Sequence, residues 1–207
     1  MELQNELKRL LIEWQPGRVM KTCYDTAWVA RLGDVDPQMS KAALSWICEN
    51  QLPDGSWGAP APMYYHDRVI STLAAMLALT RQGRRSQDRK QIELGRAALE
   101  RIAGGATQGL MADPNGATVG FEMIVPTLIA EAEGLGILQH QGDRILGRLT
   151  RLRQAKMARL NGYRVSRNLT IAYSAEMAGP DCQFLFDLEN LQEPNGSVAH
   201  SPSATAY

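Results

Sequence analysis

The feature that most constrains the fold of this chain is a turn motif that occurs twice. Residues 51–56 read Q-L-P-D-G-S and residues 192–197 read Q-E-P-N-G-S, so both fit the pattern Q-x-P-[DN]-G-S. The Asp-Gly and Asn-Gly pairs supply turn residues, and the serine can cap a following helix. A helical pattern precedes and follows each copy. A repeated helix–turn–helix unit of this kind predicts a stacked or circular array of helices.

Apolar residues recur at helical spacing along most of the chain, whereas the alternation typical of strands is nearly absent. Asp25 and Asp36 are expected helix caps, Pro37 and Pro126 are expected near helix starts, and the almost wholly apolar segment 68–80 predicts an inner helix. The predicted helices span residues 2–14, 26–32, 37–48, 68–80, 87–103, 125–138, 142–160, 169–178 and 181–192. The chain is therefore predicted to be all-α.

Composition narrows the functional class. The formal net charge of zero argues against a general nucleic-acid binder. No apolar run approaches the roughly 20 residues that a membrane span needs. The three cysteines are far apart in the sequence and contain no C-x-x-C pair, which favours packed free thiols in a reducing compartment. These observations predict a cytoplasmic protein without a membrane span.

Several sequence blocks resemble the class II diterpene cyclases. Residues 24–31 read Y-D-T-A-W-V-A-R, and the turn at 51–58 is similar to the Gln-Trp motif of that family. Further blocks follow in family order, at 67–73 (D-R-V-I-S-T-L), 119–122 (V-G-F-E), 195–197 (N-G-S) and 201–207 (S-P-S-A-T-A-Y). The resemblance is to bacterial tuberculosinyl, copalyl and kolavenyl diphosphate synthases, which implies a bacterial, cytoplasmic enzyme.

The resemblance implies an architecture of two αα-barrel domains, called β and γ. Residues 1–20 would be the first helix of the β domain, residues 21–201 the γ domain, and residues 202–207 the start of the next helix, where the chain is expected to be cut off. The expected fold class is therefore an all-α, truncated αα-barrel of the terpene cyclase γ type plus one β-domain helix. A truncated barrel is expected to self-associate through its exposed apolar face.

The resemblance also implies a reaction. Class II diterpene cyclases protonate the terminal alkene of geranylgeranyl diphosphate with the middle aspartate of a D-x-D-D motif, and the carbocation cyclises and loses a proton. Mg²⁺ is the implied cofactor. No D-x-D-D occurs here, since residues 33–37 read G-D-V-D-P, so the chain alone is expected to be inactive. A non-catalytic helical binding module and a cyclase of the squalene type are the alternatives, and V-G-F-E and S-P-S-A-T-A-Y weigh against the latter.

Lys156 is the most informative candidate for substrate binding. Ile145, Leu149, Leu152, Lys156 and Leu160 fall on one expected apolar stripe of a helix. A lysine on such a stripe either snorkels outward or meets an anion. The resemblance implies contact with the diphosphate. The many arginines nearby are expected to form mostly a solvated face.

Three further residues are candidates by resemblance. Tyr173 stands where plant copalyl diphosphate synthases carry a histidine that helps hold the deprotonating water; as a tyrosine it would line the pocket and stabilise cations through its ring. A core tyrosine with a satisfied hydroxyl is the alternative. Glu122 and Asp113 are candidates for metal or diphosphate binding, although Glu122 also fits a helix start, where the helix dipole favours an acid.

Another group of residues is expected to be structural. A carboxylate can cap a helix, a glutamine can bond a helix end, and a tryptophan can stack on the next helix. This group contains Asp25, Trp28, Gln51, Asp54, Trp57 and Gln192. The three histidines lack metal-ligand spacing and are not assigned a role: His66, His140 and His200.

Overall fold

The computed structural model describes residues 2–13, 20–112, 119–139, 147, 149–160 and 162–207. Within these residues the chain is helical, with two isolated β-bridges and no β-strand. The α-helices are α1 (Glu2–Glu13), α2 (Cys23–Ala30), α3 (Pro37–Glu49), α4 (Tyr65–Gln82), α5 (Ser86–Ala112), α6 (Phe121–Gly134), α7 (Leu149–Leu160), α8 (Leu188–Leu191) and α9 (Pro202–Ala206). Two 3₁₀ helices, η1 (Thr170–Met177) and η2 (Pro180–Leu185), lie between α7 and α8. The predicted all-α class is confirmed.

Helix α4 is the centre of the core, as its apolar sequence predicted. Every residue from Arg68 to Leu79 is buried, and the helix packs against α2, α3, α5 and α6. Removing an aliphatic side chain of this kind from water contributes about 1.5–3 kcal/mol. Helix α4 therefore holds the other helices in place. None of the helices in the described part of the chain is long and apolar enough to cross a membrane.

The starts of α2 and α3 differ in how well they were predicted. Asp36 caps α3 by accepting from the next backbone amides, and Pro37 occupies the first turn, as expected. Helix α2, however, begins three residues before the predicted segment, and its cap is Thr22 rather than Asp25. Thr22 Oγ1 accepts from Asp25 N at 3.1 Å and donates to Asp25 Oδ2 at 2.7 Å. Asp25 therefore closes the first turn from inside it.

Helix α4 begins three residues before the predicted segment, and α5 extends nine residues past its predicted end. Further differences lie toward the C-terminus. Helix α6 begins at Phe121, so Pro126 lies within it rather than near its start. The predicted helix at 169–178 is a 3₁₀ helix, and it has a kink at Ser174, where φ is −130° and ψ 40°. The predicted helix at 181–192 is divided into η2 and the short α8. Of the predicted helix at 142–160, residues 142–146 and 148 lie outside the described residues.

The two copies of the turn motif have the same local geometry. Asp54 Oδ1 accepts from the N and Oγ of Ser56 at 3.0 and 2.6 Å. Asn195 Oδ1 accepts from the N and Oγ of Ser197 at 3.1 and 2.8 Å. The glycine between these residues has φ of +84° in both copies. The sequence repeat is therefore a structural repeat.

The residue after each motif ties the turn to the following helix. Trp57 N donates to Thr72 Oγ1 on α4 at 3.1 Å, and Val198 N donates to Thr205 Oγ1 on α9 at 2.9 Å. Trp57 is fully buried, and its ring N–H donates to Ile47 O at the end of α3 at 2.8 Å. Each turn thus fixes the helix before it against the helix after it.

Candidate functional site

A cavity of about 860 Å³ lies between the start of α6, the end of α7 and η1. We call it the Lys156 cavity. Its walls are largely apolar, with the side chains of Val119, Met123, Leu160, Leu169, Ile171 and Met177. Its polar lining includes Lys156, Arg159, Arg167, Tyr173 and His200. The cavity therefore offers both a long apolar surface and a group of cations.

The charge of the lining is of one sign. Lys156 and Arg159 are three residues apart on α7 and so lie on one face of that helix. Arg167 lies in the loop after α7, and its Nη1 donates to Gln192 O at 3.0 Å. Among the described lining residues no side chain is acidic. A cleft lined by cations with apolar walls raises the local concentration of anions.

Lys156 lies at the edge of this cavity rather than on a buried apolar stripe. Its side chain is 48% exposed. Leu149 is the buried residue of α7, whereas Leu152 is 43% exposed, so the stripe expected from the sequence does not pack as a unit. Besides Leu149, the helix is held by Met157, which packs against the core near η1, and by Arg153, whose Nη2 donates to Ala178 O at 2.6 Å.

Glu122 and Lys156, which the sequence singled out separately, form an ion pair. The Lys156 Nζ contacts Glu122 Oε1, and the glutamate side chain is 19% exposed. Glu122 lies in the first turn of α6, as the helix-dipole argument expected. The pair keeps Lys156 beside the cavity. It also occupies the carboxylate of Glu122, which was a candidate metal ligand from the sequence.

Tyr173 lines the same cavity from η1 and is 59% exposed. Within the described residues Tyr173 therefore lies at the cavity and not in the hydrophobic core. The next residue, Ser174, has non-helical dihedral angles. The position gives the cavity one aromatic face, of the kind that can interact with a cation.

The described residues do not form a magnesium site on their own. They contain no group of three or more His, Cys, Asp or Glu residues that could hold a metal ion. Glu122 is paired with Lys156, and Asp113 lies outside the described residues. A hard divalent cation needs several oxygen ligands, and Glu122 alone would supply too few.

His200 lines the Lys156 cavity although the sequence assigned it no role. It follows the second turn motif, and its Nδ1 lies 3.3 Å from Ser197 Oγ. Ala199 and His200 both have positive φ, at 48° and 57°. No spacing in the sequence indicated this position, because it depends on the dihedral angles of the turn.

The residues expected to be structural pack around the first turn. Gln51 Nε2 donates to Gly55 O at 2.8 Å within the turn and to Gln91 O on α5 at 2.9 Å. Asp54 accepts from Arg68 Nη1 at 3.1 Å. Although partial burial acts to raise the pKa of Asp54, hydrogen bonds from Ser56 and the charge of Arg68 lower it overall. Arg68, which is buried on α4, was not identified from the sequence.

Arg68 satisfies several acceptors at once. Its Nη1 also donates to Ser56 Oγ at 2.5 Å, and its Nε donates to Ala59 O at 3.0 Å. The guanidinium thus closes the turn and the loop after it over the start of α4. It acts as a structural cation, whose charge is shared among the carboxylate, hydroxyl and carbonyl that surround it.

Trp28 is a packing residue of α2. It is 5% exposed, with the Arg31 guanidinium 4.1 Å from its ring centroid. The ring also makes an edge contact with Tyr207, at 5.8 Å between centroids. These contacts join α2 to α9.

A second cavity, of about 900 Å³, lies farther along α6, beside Pro126, Thr127 and Ala130. Arg31 Nη2 and Arg81 Nε each contact Glu131 Oε1 at 2.6 Å on its wall. Glu176, also on the wall, is 2% exposed, and burial raises the pKa of its carboxyl group. The wall of this Glu176 cavity carries the acids Asp34, Glu131 and Glu176, whereas the described lining of the Lys156 cavity contains none, so the Glu176 cavity is less suited to an anionic ligand.

Comparison with proteins of known sequence confirms the resemblance to diterpene cyclases. The chain is 49% identical, over 91% of its length, to a type B diterpene cyclase of Mycobacterium tuberculosis. It is 35% identical over 99% of its length to ent-copalyl diphosphate synthase 1 of Oryza sativa. The matches cover 38% and 23% of those proteins, so the chain spans well under half of either relative. No protein-family model matches the chain.

Solved structures agree with the sequence relatives. Abietadiene synthase from Abies grandis matches with a TM-score of 0.73 at 29% identity, and ent-copalyl diphosphate synthase from Arabidopsis thaliana with 0.68 at 28% identity. Each match covers 98% of this chain and little more than a quarter of the solved chain. Both in sequence and in fold, the chain is similar to one part of the diterpene cyclases.

Proposed function

We propose that this chain is part of a class II diterpene cyclase that converts geranylgeranyl diphosphate to a cyclic diterpenyl diphosphate. The Lys156 cavity is the observation that carries the proposal, because its apolar walls and its three cations suit a ligand with a long hydrocarbon chain and an anionic head. Two relatives support it. One is a diterpene cyclase, and the solved Arabidopsis enzyme holds a geranylgeranyl thiolodiphosphate analogue.

The cations bind the diphosphate. Charge-assisted hydrogen bonds from ammonium and guanidinium groups to phosphate oxygens are stronger than neutral ones. Lys156, Arg159 and Arg167 line the cavity, so they are the residues that we assign to the head group. An arriving diphosphate competes with Glu122 for the Lys156 ammonium group. Mg²⁺, which the resemblance implies, is proposed to accompany the diphosphate as its counter-ion.

Tyr173 contributes to the reaction through its ring. Carbocations form and rearrange after the hydrocarbon chain is protonated, and an aromatic face stabilises a cation within about 6 Å of its centroid. The residue is accessible from the cavity. We assign it to the wall of the pocket and not to proton transfer.

The proton that starts the reaction comes from elsewhere. This sequence contains no D-x-D-D motif, so the general acid belongs to a part of the cyclase outside these residues. The proposal places residues 1–20 with the β domain and residues 21–201 with the γ domain of a bacterial cytoplasmic enzyme. The isolated chain is inactive on this proposal.

The isolated chain also self-associates on this proposal. Helix α1 exposes apolar side chains that a folded protein normally covers, with Leu3 74%, Leu7 52% and Ile12 73% exposed. Such a face marks a site of association. In the cyclase, another part of the protein would cover it.

The experiment that tests the function uses the complete cyclase that contains this chain. Incubation with geranylgeranyl diphosphate, phosphatase treatment and mass spectrometry should reveal a cyclic C20 alcohol, while the 207-residue chain alone gives only geranylgeraniol. Failure of the complete protein to consume the substrate would overturn the proposal. Binding without consumption by the complete protein would support the alternative of a non-catalytic binding module.

A further inference from the structure

His200 is held in an unusual backbone position at the wall of the Lys156 cavity. It and Ala199 are the two non-glycine residues with positive φ in the described part of the chain, and they are consecutive. Left-handed dihedral angles are costly for residues with a β-carbon and often mark functional sites. The turn therefore places this imidazole at the cavity at the expense of local strain.

The hydrogen bonds of the turn determine which nitrogen of the neutral ring carries the proton. Asn195 Oδ1 accepts from Ser197 N at 3.1 Å, which identifies this atom as the amide oxygen. Ser197 Oγ donates its single proton to the same oxygen at 2.8 Å. The Oγ can then only accept from His200 Nδ1, 3.3 Å away. The neutral imidazole consequently carries its proton on Nδ1 and a lone pair on Nε2.

The first turn motif shows what is special about the second. There Ser56 Oγ also donates to the preceding acidic side chain, Asp54, and accepts from a cation, the buried Arg68. In the second motif the equivalent hydroxyl, Ser197 Oγ, instead contacts a histidine at the cavity wall. The same framework that fixes a structural cation in one copy presents a base in the other.

We propose that His200 accepts the proton that ends the cyclisation. The Nε2 lone pair forms a bond to a proton on the carbon next to the cationic centre, and the electron pair of the broken C–H bond forms the new alkene. The imidazole becomes an imidazolium ion, whose Nδ1–H still donates to Ser197. This inference rests on the proposed function, which supplies the carbocation.

The alternative role of a diphosphate ligand fits the hydrogen bonds less well. A phosphate oxygen needs a donor, whereas Nε2 of this tautomer is an acceptor. Lys156, Arg159 and Arg167 already provide donors at the cavity. An acceptor beside a pocket that holds a carbocation is suited to proton removal.

The test uses the complete cyclase with His200→Asn. Asparagine tolerates positive φ, so the backbone of the turn is retained while the base is lost. We expect the substrate still to be consumed, with the wild-type alkene falling about tenfold or more as a share of the products. Other alkene isomers or water-captured, hydroxylated diphosphates take its place, while KM stays near the wild-type value. Ser197→Ala should shift the products in the same direction but less.

An unchanged product distribution in His200→Asn would overturn the inference, and so would a raised KM with unchanged products. Complete loss of turnover in a variant with the wild-type melting temperature would also overturn it, because proton removal follows initiation. If the His200→Asn variant fails to fold, the His200→Gly variant is tested instead, because glycine adopts a positive φ without backbone strain. If the wild-type cyclase consumes no substrate, the proposed function fails instead.

Nitrogen-15 NMR of the wild-type protein provides a second readout that does not depend on activity. The His200 signals are assigned by their loss in His200→Asn. At a pH where the ring is neutral, Nε2 should show the shift of an unprotonated nitrogen. A protonated Nε2 would overturn the inference whatever the products are.

Discussion

Lys156 on α7 and Glu122 in the first turn of α6 form an ion pair at the edge of the Lys156 cavity. The lysine is half-exposed and the glutamate mostly buried, so the pair has one side open to a ligand. An anion that enters the cavity exchanges one partner of the ammonium group for another. Both residues therefore affect affinity, and the proposal predicts opposite effects for the two.

Replacing Lys156 with alanine in the complete cyclase should weaken the binding of geranylgeranyl thiolodiphosphate about tenfold, or about 1.4 kcal/mol. The reason is the loss of one charge-assisted contact with the head group. Isothermal titration calorimetry measures the change. Lys41→Ala, on the exposed surface of α3, is the matched control and should leave Kd unchanged. If Lys156→Ala and Lys41→Ala bind the analogue with equal affinity, Lys156 does not contact the diphosphate.

Replacing Glu122 with glutamine should strengthen the binding of the same analogue about two- to fivefold, because the carboxylate no longer competes for the lysine. A metal-binding role makes the reverse prediction. If Glu122 holds Mg²⁺, the variant binds the analogue more weakly and the loss grows with Mg²⁺ concentration. Titrations with and without Mg²⁺ distinguish the two roles.

Replacing glycine with alanine should destabilise the protein to different extents in the two turn motifs. Both glycines have φ of +84°, so each substitution incurs a similar backbone cost of about 1–2 kcal/mol. A β-carbon at Gly55 would also lie 2.7 Å from Leu94 O, whereas at Gly196 it meets no atom within 4 Å. Urea denaturation should show Gly55→Ala to be clearly the more destabilising. Equal losses would mean that α5 does not approach the first turn as described.

Glu176 should make the protein less stable as the pH rises. Burial raises the pKa of its carboxyl group above the ordinary value of 4.5, so the folded state binds a proton more tightly than the unfolded state. The associated stability is fully present below that ordinary pKa and is lost as the pH rises through the raised one. Glu176→Gln, which resembles the protonated acid, should be at least as stable as wild type at about pH 7.

Denaturation midpoints across pH test this account of Glu176. The wild-type slope above the ordinary pKa should be flattened in Glu176→Gln. Tyr24→Phe is an informative companion, because Tyr24 Oη donates to Glu176 Oε1 at 3.1 Å. Loss of the Tyr24 hydroxyl should remove one stabilising contact of the Glu176 carboxyl group. The stability should still fall as the pH rises. A wild-type slope of opposite sign would contradict the burial argument.

The elements that the sequence predicted well are those set by local chemistry. Asp36 and Pro37 define the start of α3, and the apolar segment around Leu73 is the inner helix α4. The repeated turn was also visible, since its Asn-Gly and Asp-Gly pairs require a positive φ. In each of these cases a few consecutive residues determine the structure.

Long-range contacts explain what the sequence could not provide. Lys156 and Glu122 are far apart in the chain, and their pairing depends on how α7 packs against α6. The stripe around Lys156 had helical spacing, yet α7 buries Leu149 and leaves Leu152 exposed. Tyr173 lies at the cavity on η1, a 3₁₀ helix with a kink at Ser174. Periodicity predicts a face of a helix but not the neighbour that covers it.

His200 shows the same limit at the candidate site. As one of three scattered histidines it carried no spacing signal. Its role emerges from the comparison of two turns, in which Ser56 contacts Arg68 and Ser197 contacts His200. Only the dihedral angles at positions 199 and 200 place the imidazole beside the cavity.

If the Lys156 cavity holds the substrate, a crystal structure of the complete cyclase with a non-reactive geranylgeranyl diphosphate analogue will show the analogue there. The account predicts a diphosphate oxygen within about 2.7–2.9 Å of Lys156 Nζ, with the hydrocarbon chain against Met123, Ile171 and Tyr173. Diphosphate bound elsewhere, for instance beside Arg31 and Arg81 in the Glu176 cavity, with the Lys156–Glu122 pair intact, would contradict it.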